Sequence, residues 1–354
     1  MVLTSAFAIF YLICMVIELT VRRREKIIFL LFFTILLSLV VGCRSLDFKD
    51  TGAYVASFMS ENGLSDYHLG DTSMYFGEKG FYLFEVLVRT ITNSPRLYLL
   101  ILSLVTLTIM ARSISELSLY PLIGLCAYIA RFLTGRDCNQ VRAALSYAIL
   151  MLGVKYIRKK DWKRYFLIVF IAYLFHSSAV IAIPVYFICT FIKPKKSYIF
   201  LGLIVSFVIG IAGQGIVHGF IEDNATDLNI SATYTDATKM TDYVVGKGIT
   251  NPMIYYQTFL LLLYTLLEKK LVKIDPNYYV IRWCYLYSTM ILICFCSYAV
   301  LSGRTSTLYA TLEFAIIPAL INLFHKNNRV VAMLGLGIVL TAIFYMYNWN
   351  VQLF

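Results

Sequence analysis

The sequence predicts an all-α polytopic membrane protein with about ten to twelve transmembrane helices, and three observations carry that prediction. Of its 354 residues, 60% are hydrophobic and only 14% are charged, whereas a soluble domain carries about 25% charged residues. The apolar residues form runs of roughly 16–22, the length needed to cross a hydrocarbon core about 30 Å thick. Continuous apolar runs indicate helices, because lipid offers no hydrogen-bonding partner to an open backbone.

The apolar runs follow one another along the whole chain and predict a single integral-membrane domain over residues 1–354. The third run is interrupted by Asn93-Ser94-Pro95, which predicts an amphipathic piece from Phe81 to Ile91, followed by the span itself. The sixth and seventh runs are short, and we expect them to form one bent or re-entrant helix pair. The runs cover 3–20, 27–43, 81–111, 119–134, 141–157, 165–176, 178–192, 197–217, 253–267, 280–300, 305–323 and 330–348.

Basic residues predict the orientation of the chain in a bacterial inner membrane. They cluster at 22–24, 158–164, 193–196, 269–270 and 326–329. Counting the spans between these clusters puts all of them on one side, which the positive-inside rule identifies as the cytoplasm. Both termini and two long connections, about 43–80 and 218–252, then lie on the periplasmic side. The net charge of +11 comes from these clusters, so it does not indicate nucleic acid binding.

Several polar residues interrupt this pattern at the outer ends of the predicted helices. Ionisable groups at membrane depth are costly and by default mark a functional cavity. The planar fork of an arginine matches phosphate oxygens two at a time, so converging arginines suit a diphosphate headgroup. The alternative for each arginine is an interfacial anchor, and we assign that role to Arg89, Arg96 and Arg131. The residues at this level are Arg44, Asp47, Asp50, Arg136, Asn139, Gln140, Arg142, His176 and Arg304.

Two of these residues are candidates for proton transfer. His176 interrupts an apolar run beside two serines, and histidine is the side chain that titrates near neutrality. A packing histidine is the alternative. Asp50 lies in a D-x-x-D sequence with Asp47, for which a solvated loop or a helix cap is equally plausible. Glu313, in the middle of a span, is expected to pair with a neighbouring helix and is assigned no role.

The sequence contains none of the common metal or nucleotide motifs. No His/Cys/Asp spacing is typical of a zinc site, and neither G-x-x-x-x-G-K nor G-x-G-x-x-G occurs. We therefore expect no metal and no cofactor, and the lack of a nucleotide motif argues against ATP-driven transport.

Six short elements, in their order and spacing, resemble the EpsG-like branch of the Wzy polysaccharide polymerases. The resemblance runs over roughly residues 40–320 in loose individual motifs. Members often carry a glutamine directly after the arginine that Arg142 matches, whereas this chain has Ala143. The elements are Gly42-Cys43-Arg44-Ser45, Asp50 to Tyr54, Glu78-Lys79-Gly80-Phe81-Tyr82, Asn139 to Leu145, Phe175-His176-Ser177-Ser178 with Pro184, and Arg304 to Tyr309 with Pro318.

The resemblance implies an integral-membrane glycosyltransferase of the GT-C type that needs no nucleotide sugar. Its donor is expected to be a growing glycan on undecaprenyl diphosphate, and its acceptor a single lipid-linked repeat unit. The implied partners are a flippase and a chain-length regulator of the same pathway. The product, whether O-antigen of lipopolysaccharide, capsule or exopolysaccharide, is left open, as are the sugars and the stereochemistry of their linkage.

The resemblance also implies roles for particular residues. Arg142 and Arg304, supported by Arg44, are expected to hold the diphosphate, because fixed cations near a leaving group that gains negative charge favour its departure. His176 or Asp50 is expected to take the proton of the attacking hydroxyl, with a slight preference for His176. The remaining substrate-binding candidates are Asn139, Tyr54 and Glu78.

Other classes of membrane protein share some of these features. A flippase for lipid-linked oligosaccharides would need polar residues at the bilayer midplane and on both sides, whereas the ionisable residues here cluster towards one face. An O-antigen ligase uses similar arginine and histidine chemistry on a different acceptor, and the sequence leaves that alternative open. A membrane acyltransferase would explain His176, but the arginines suit a diphosphate better.

Overall fold

The computed structural model describes residues 2–68, 70–73, 76–217 and 247–351, and no strand occurs among them. The predicted all-α class is confirmed. The α-helices are α1 Val2–Thr20, α2 Arg23–Gly42, α3 Thr51–Ser60, α4 Lys79–Ile91, α5 Pro95–Leu117, α6 Pro121–Tyr128, α7 Val141–Arg158, α8 Trp162–Phe175, α9 Ile183–Phe191, α10 Lys196–Ala212, α11 Pro252–Leu266, α12 Glu268–Leu271, α13 Tyr278–Cys294, α14 Ala299–Ala310, α15 Glu313–Ala319 and α16 Arg329–Asn348.

The predicted interruption of the third apolar run is confirmed. Helix α4 ends at Ile91, and α5 begins at Pro95, whose missing N–H costs nothing at the first position of a helix. The hydroxyl of Ser94 accepts a hydrogen bond from Leu97 N and so caps α5. Helix α4 is amphipathic, with Phe81 buried and Ile91 exposed. The chain therefore enters its long span only after a separate short helix.

The lengths of the helices identify a multi-pass membrane protein. Four helices of the described chain are long and apolar enough to cross a bilayer: α1, α2, α5 and Lys326–Asn348, which includes α16. A fifth is added if Leu301–Ala310 and Glu313–Leu323 count as one span. Other apolar helices, such as Ser177–Phe191, are shorter, so the total of ten to twelve stays a prediction.

The structure describes most of the first predicted long connection but little of the second. The first, at 43–80, contains the whole of α3, which the sequence analysis did not predict. Of the second, at 218–252, residues 218–246 lie outside the described residues.

The helices fall into two compact units, and the single domain over residues 1–354 stays a prediction. The first unit comprises Met1–Tyr186 with Glu313–Phe354, and the second comprises Phe187–Leu312. In the first unit, α2 packs on α5, α7 packs on α5 and α8, α1 packs on α16, and α6 packs on α15. In the second unit, α13 packs against α10, α11 and α14.

One glycine of the first unit allows a close approach that matters for the site. A Cβ on Gly80, near the start of α4, would lie 2.7 Å from Leu174 Cβ and 2.8 Å from its carbonyl oxygen. The start of α4 therefore packs directly on the end of α8 because residue 80 has no side chain. This contact brings the segment after Glu78 close to the segment before His176.

Candidate functional site

A π-helix lies at the centre of the first unit. The chain runs from α6 into the nine-residue π-helix Ile129–Asp137 and then into α7. π-helical segments are rare and occur frequently at functional sites, because their wider turn places side chains where an α-helix would not. Arg131, Arg136 and Asp137 of this segment are all buried.

Arg131 does not lie at an interface, and the predicted role of a membrane anchor is wrong. Its guanidinium pairs with the Glu313 carboxylate at the start of α15, and both side chains are buried. A buried guanidinium without a partner would be strongly destabilising, whereas one paired with a carboxylate can be tolerated. The expectation that Glu313 pairs with another helix is confirmed.

Arg136 is enclosed by aromatic rings. Its Cζ lies 4.5 Å from the centre of the Phe132 ring, 5.4 Å from that of Tyr128 and 5.6 Å from that of Tyr147. Cations are attracted to ring faces at such distances. The neighbouring Asp137 carboxylate accepts a hydrogen bond of 2.8 Å from the Tyr128 hydroxyl. A charged and fully packed group thus lies at the end of the π-helix.

Arg142 lies at the start of α7 and is less buried than Arg44, Arg131 and Arg136. It pairs with the carboxylate of Glu78, the residue before α4, and the two side chains are 22% and 14% exposed. Its Cζ lies 4.0 Å from the centre of the Phe76 ring and 6.0 Å from that of Tyr54. Its Nε is buried and makes no hydrogen bond to any described residue. The structure thus brings together three predicted site residues: Arg142, Glu78 and Tyr54.

Arg44 is buried in the same unit, at the junction between α2 and α3. Its Nε donates a hydrogen bond of 3.0 Å to Thr51 Oγ1, and its Nη1 donates one of 2.8 Å to the carbonyl oxygen of Val41. Its Nη2 is buried without a hydrogen-bond partner among the described residues. Arg96, expected to be an anchor, donates a hydrogen bond to the Arg44 carbonyl oxygen. Arg44 therefore holds the start of α3, the helix that carries Tyr54.

Asp50 and Asn139 connect this junction to the end of the π-helix. The Asn139 side-chain oxygen accepts a hydrogen bond of 3.3 Å from the backbone N–H of Asp50. The Asp50 residue is exposed and forms no side-chain cap on α3. Its carboxylate is therefore accessible to a ligand, while its backbone is held in place.

His176 lies between the end of α8 and the short 3₁₀-helix Ser177–Ala182. Its Nδ1 accepts a hydrogen bond of 3.2 Å from the backbone N–H of Ser178, and Ser178 Oγ lies 2.7 Å from the same nitrogen. Ser178 Oγ also lies 3.1 Å from the hydroxyl of Tyr147. Because the Tyr147 ring packs against Arg136 as well, His176 and Arg136 share a common neighbour.

Arg304 belongs to the second unit, where it lies on α14 and its carbonyl oxygen accepts a hydrogen bond of 2.8 Å from Thr307 Oγ1. Its predicted role in holding the diphosphate stays a prediction.

The sequence analysis missed Glu85, which lies on α4 seven residues after Glu78. Its carboxylate is fully buried and accepts hydrogen bonds of 2.8 Å from Ser57 Oγ and 2.9 Å from the Tyr98 hydroxyl. Burial raises the pKa of this carboxyl group to about 7, although both hydroxyl groups favour its ionised form. A spacing of seven residues in an amphipathic helix places Glu85 on the face of Glu78, so the pattern contained the signal.

Across the described parts of the chain, no group of three or more His, Cys, Asp or Glu side chains could hold a metal ion.

Comparison with known proteins gives one match. The sequence model of the EpsG family matches residues 26–353, nearly the whole chain. No curated protein matches, and no solved structure matches. The matched range includes every site residue described above, the whole of the second unit and most of the first. The chain therefore belongs to the EpsG family, whose members are Wzy-type polysaccharide polymerases.

Proposed function

We propose that this membrane polysaccharide polymerase joins undecaprenyl-diphosphate-linked oligosaccharide repeat units at the periplasmic face of the bacterial inner membrane. It does so as a GT-C-type glycosyltransferase, with both termini on the periplasmic side. The observation that carries the proposal is the partly exposed Arg142, with the buried Arg44 and Arg136 in the same unit. An accessible guanidinium supported by further cations suits a lipid-linked diphosphate better than it suits a neutral sugar.

The diphosphate is the leaving group of the proposed reaction. Its negative charge grows as the bond to the sugar breaks, so fixed cationic donors stabilise the transition state more than the ground state. Arg142 binds its oxygens directly, and Arg44 supports the site from the start of α3. Arg304, which the family resemblance assigns to the same role, is proposed to bind the diphosphate as well.

The acceptor's terminal sugar hydroxyl attacks the reducing-end anomeric carbon of the donor. A new glycosidic C–O bond forms, while the bond from that carbon to the diphosphate oxygen breaks and leaves its electron pair on undecaprenyl diphosphate. The hydroxyl proton goes to a base, for which His176 and Asp50 are the two candidates. Asn139, Tyr54 and Glu78 are the remaining substrate-binding residues of the proposal. Glu78 and Tyr54 also orient the Arg142 side chain.

The proposed reaction defines its partners. A flippase must deliver the lipid-linked repeat units to the outer leaflet, because the chain's own reaction consumes them there. A chain-length regulator then limits the number of additions.

The direct test is polymerisation by the purified full-length protein. A synthetic undecaprenyl-diphosphate repeat unit is added without nucleotide sugar or divalent metal, and product length is followed on a gel. We expect a ladder that disappears in Arg142→Ala and in Arg304→Ala. Arg164→Ala, which removes an arginine whose side chain is 65% exposed on α8, is the matched control and should retain the ladder.

Two results would contradict the proposal. Folded wild-type protein that makes no ladder, but moves the lipid between leaflets, would be a flippase. Transfer of glycan to a lipopolysaccharide core, with no transfer to a second repeat unit, would identify a ligase.

A further inference from the structure

Two hydrogen-bond donors face the same ring nitrogen of His176. The backbone N–H of Ser178 donates to Nδ1 at 3.2 Å, and a backbone N–H cannot act as an acceptor. Nδ1 must therefore present its lone pair. In neutral imidazole the hydrogen must then be on Nε2, because one nitrogen carries the hydrogen and the other accepts.

With Nδ1 assigned as the acceptor by the backbone N–H, the serine hydroxyl is a donor to it as well. Ser178 Oγ lies 2.7 Å from Nδ1, and two lone pairs at this separation would repel each other, so the hydroxyl hydrogen lies between them. Ser178 then has no second hydrogen to give, and the Tyr147 hydroxyl must donate in their contact of 3.1 Å. The chain of donation runs from Tyr147 through Ser178 to Nδ1. Donors arranged in series polarise one another, which makes Nε2–H a stronger donor.

A histidine in this state cannot act as a general base towards the substrate. Its basic nitrogen, Nδ1, is already occupied by the backbone and hydroxyl of Ser178, two residues away. The other nitrogen, Nε2, carries a hydrogen and has no lone pair to accept a proton. A neutral histidine can, however, act as an electrophile by donating a hydrogen bond to an oxygen that gains negative charge.

We infer that Ser178 holds His176 with its hydrogen on Nε2, and that His176 donates this hydrogen to a diphosphate oxygen of the substrate. His176 is partly exposed, and Arg136 packs on the Tyr147 ring whose hydroxyl starts the chain of donors. Tyr147 thus contacts the Arg136 cation through its ring and supports the neutral His176 donor through Ser178. Such a pair of groups suits an anionic oxygen. The identity of the ligand rests on the proposed function, whereas the tautomer does not.

This assignment leaves Asp50 as the base among the two candidates. Its carboxylate is exposed, while its backbone is hydrogen-bonded to Asn139. Ser178 and Tyr147 act through His176 and are positioning residues, whereas His176 contacts the substrate.

The tautomer can be measured without any substrate. The chain has four histidines, so nitrogen-15 NMR of the histidine-labelled full-length protein in lipid nanodiscs can be assigned by difference with His176→Gln. We expect the neutral ring to carry hydrogen on Nε2 only, and we expect the Nδ1-protonated form to appear in Ser178→Ala. The exposed His325 provides the unconstrained reference. A Nδ1-protonated population of His176 as large as that of His325 would overturn the inference.

Activity then distinguishes a donor from a base. Glutamine places an N–H donor near the position of Nε2 but cannot take up a proton at neutral pH. We expect His176→Gln to polymerise within about tenfold of wild type, and His176→Ala to lose about 10²-fold or more, the usual effect of removing one preorganised donor. Asp50→Asn should be inactive. His325→Gln is the matched control.

Equal loss in His176→Gln and His176→Ala, with unchanged thermal unfolding, would restore His176 as the base. Addition of undecaprenyl diphosphate to the labelled protein should shift the Nε2–H resonance, and the absence of a shift would contradict the diphosphate contact. If the wild type made no polymer at all, the proposed function would fail, while the tautomer would still be decided by NMR.

Discussion

Two arginine–glutamate ion pairs in the first unit use the same chemistry in different surroundings. In Arg131–Glu313 the side chains are 6% and 1% exposed, whereas in Arg142–Glu78 they are 22% and 14% exposed. The first pair joins the π-helix to α15, and the second joins α7 to the segment before α4. The comparison teaches that the surroundings, rather than the residue types, separate a structural ion pair from a binding site.

Burial fixes the partner of Arg131. Removing either charge would leave the other in a medium of low polarity, so Glu313 cannot be exchanged for a ligand. Gly124 shows how closely the elements pack here, because a Cβ on it would lie 2.6 Å from the Phe314 carbonyl oxygen. Arg142, in contrast, is partly hydrated, so solvent screens its attraction to Glu78 more than it screens the Arg131–Glu313 pair. A diphosphate can therefore replace Glu78 at a lower cost than any ligand could replace Glu313.

The largest effect is expected from breaking the buried pair. Arg131→Ala leaves the Glu313 carboxylate buried without its cation and should lower the free energy of unfolding by about 3–5 kcal/mol. The measurement is thermal unfolding of the purified protein in detergent. The double variant Arg131→Met with Glu313→Leu removes both charges and should recover most of the loss. A double variant as unstable as Arg131→Ala would show that the ion pair is not the cause.

The less buried pair should respond mainly in activity. Arg142→Ala is expected to reduce polymerisation about 10²–10³-fold, since one transition-state donor is lost, while the free energy of unfolding falls by less than in Arg131→Ala, because the Glu78 carboxylate is better hydrated than that of Glu313. Initial rates and thermal unfolding are measured on the same preparation. Arg142→Lys keeps the charge but loses the planar fork. Its polymerisation rate should lie between those of wild type and Arg142→Ala. A loss of stability as large as that of Arg131→Ala would remove the distinction between the pairs.

A third glutamate of this unit, Glu85, is buried without an ion-pair partner among the described residues, and it should make the free energy of unfolding depend on pH. Its pKa is raised from its ordinary value of 4.5 to about 7 by burial, so the folded state binds its proton more tightly than the unfolded state does. Stability is therefore fully present below about pH 4.5 and falls as pH rises to about 7, by up to about 3 kcal/mol at 1.36 kcal/mol per pKa unit. Urea unfolding across this range should show the slope in wild type and a flatter profile in Glu85→Gln. If the stability of wild type and of Glu85→Gln changed with pH in the same way, Glu85 would not be the group that causes the slope.

The smallest effect is expected from Glu78→Gln. The amide can still accept a hydrogen bond from Arg142, so the side chain stays oriented while the charge is lost. We expect a smaller loss of stability than in Arg142→Ala and a rate within about tenfold of wild type, measured as the initial rate of polymer formation. A rate as low as that of Arg142→Ala would mean that the Glu78 carboxylate itself contacts the reacting groups.

Local patterns predicted much of this molecule. The apolar runs anticipated the long helices to within a few residues, and Asn93-Ser94-Pro95 marked the break between α4 and α5, because capping and proline act within one turn. The resemblance brought Arg142, Glu78 and Tyr54 into one candidate site, and the structure places them in contact.

Long-range pairing could not be predicted in the same way. Arg131 and Glu313 lie 182 positions apart, and no helical periodicity connects them. The π-helix changes the number of residues per turn, so the spacing of an α-helix does not apply to the segment that carries Arg131. Glu85 was missed for a different reason: it lies inside an apolar run, and its hydroxyl partners Ser57 and Tyr98 come from two other helices.

The central claim is that the Arg142 guanidinium holds the diphosphate of the lipid-linked substrate, and equilibrium binding tests it most directly. Undecaprenyl diphosphate is titrated into purified wild-type protein, Arg142→Ala and the exposed-arginine control Arg164→Ala, in the same detergent. We predict binding at least about tenfold weaker in Arg142→Ala, the loss of about 1.4 kcal/mol, and unchanged in Arg164→Ala. Equal affinity in all three proteins would contradict the claim.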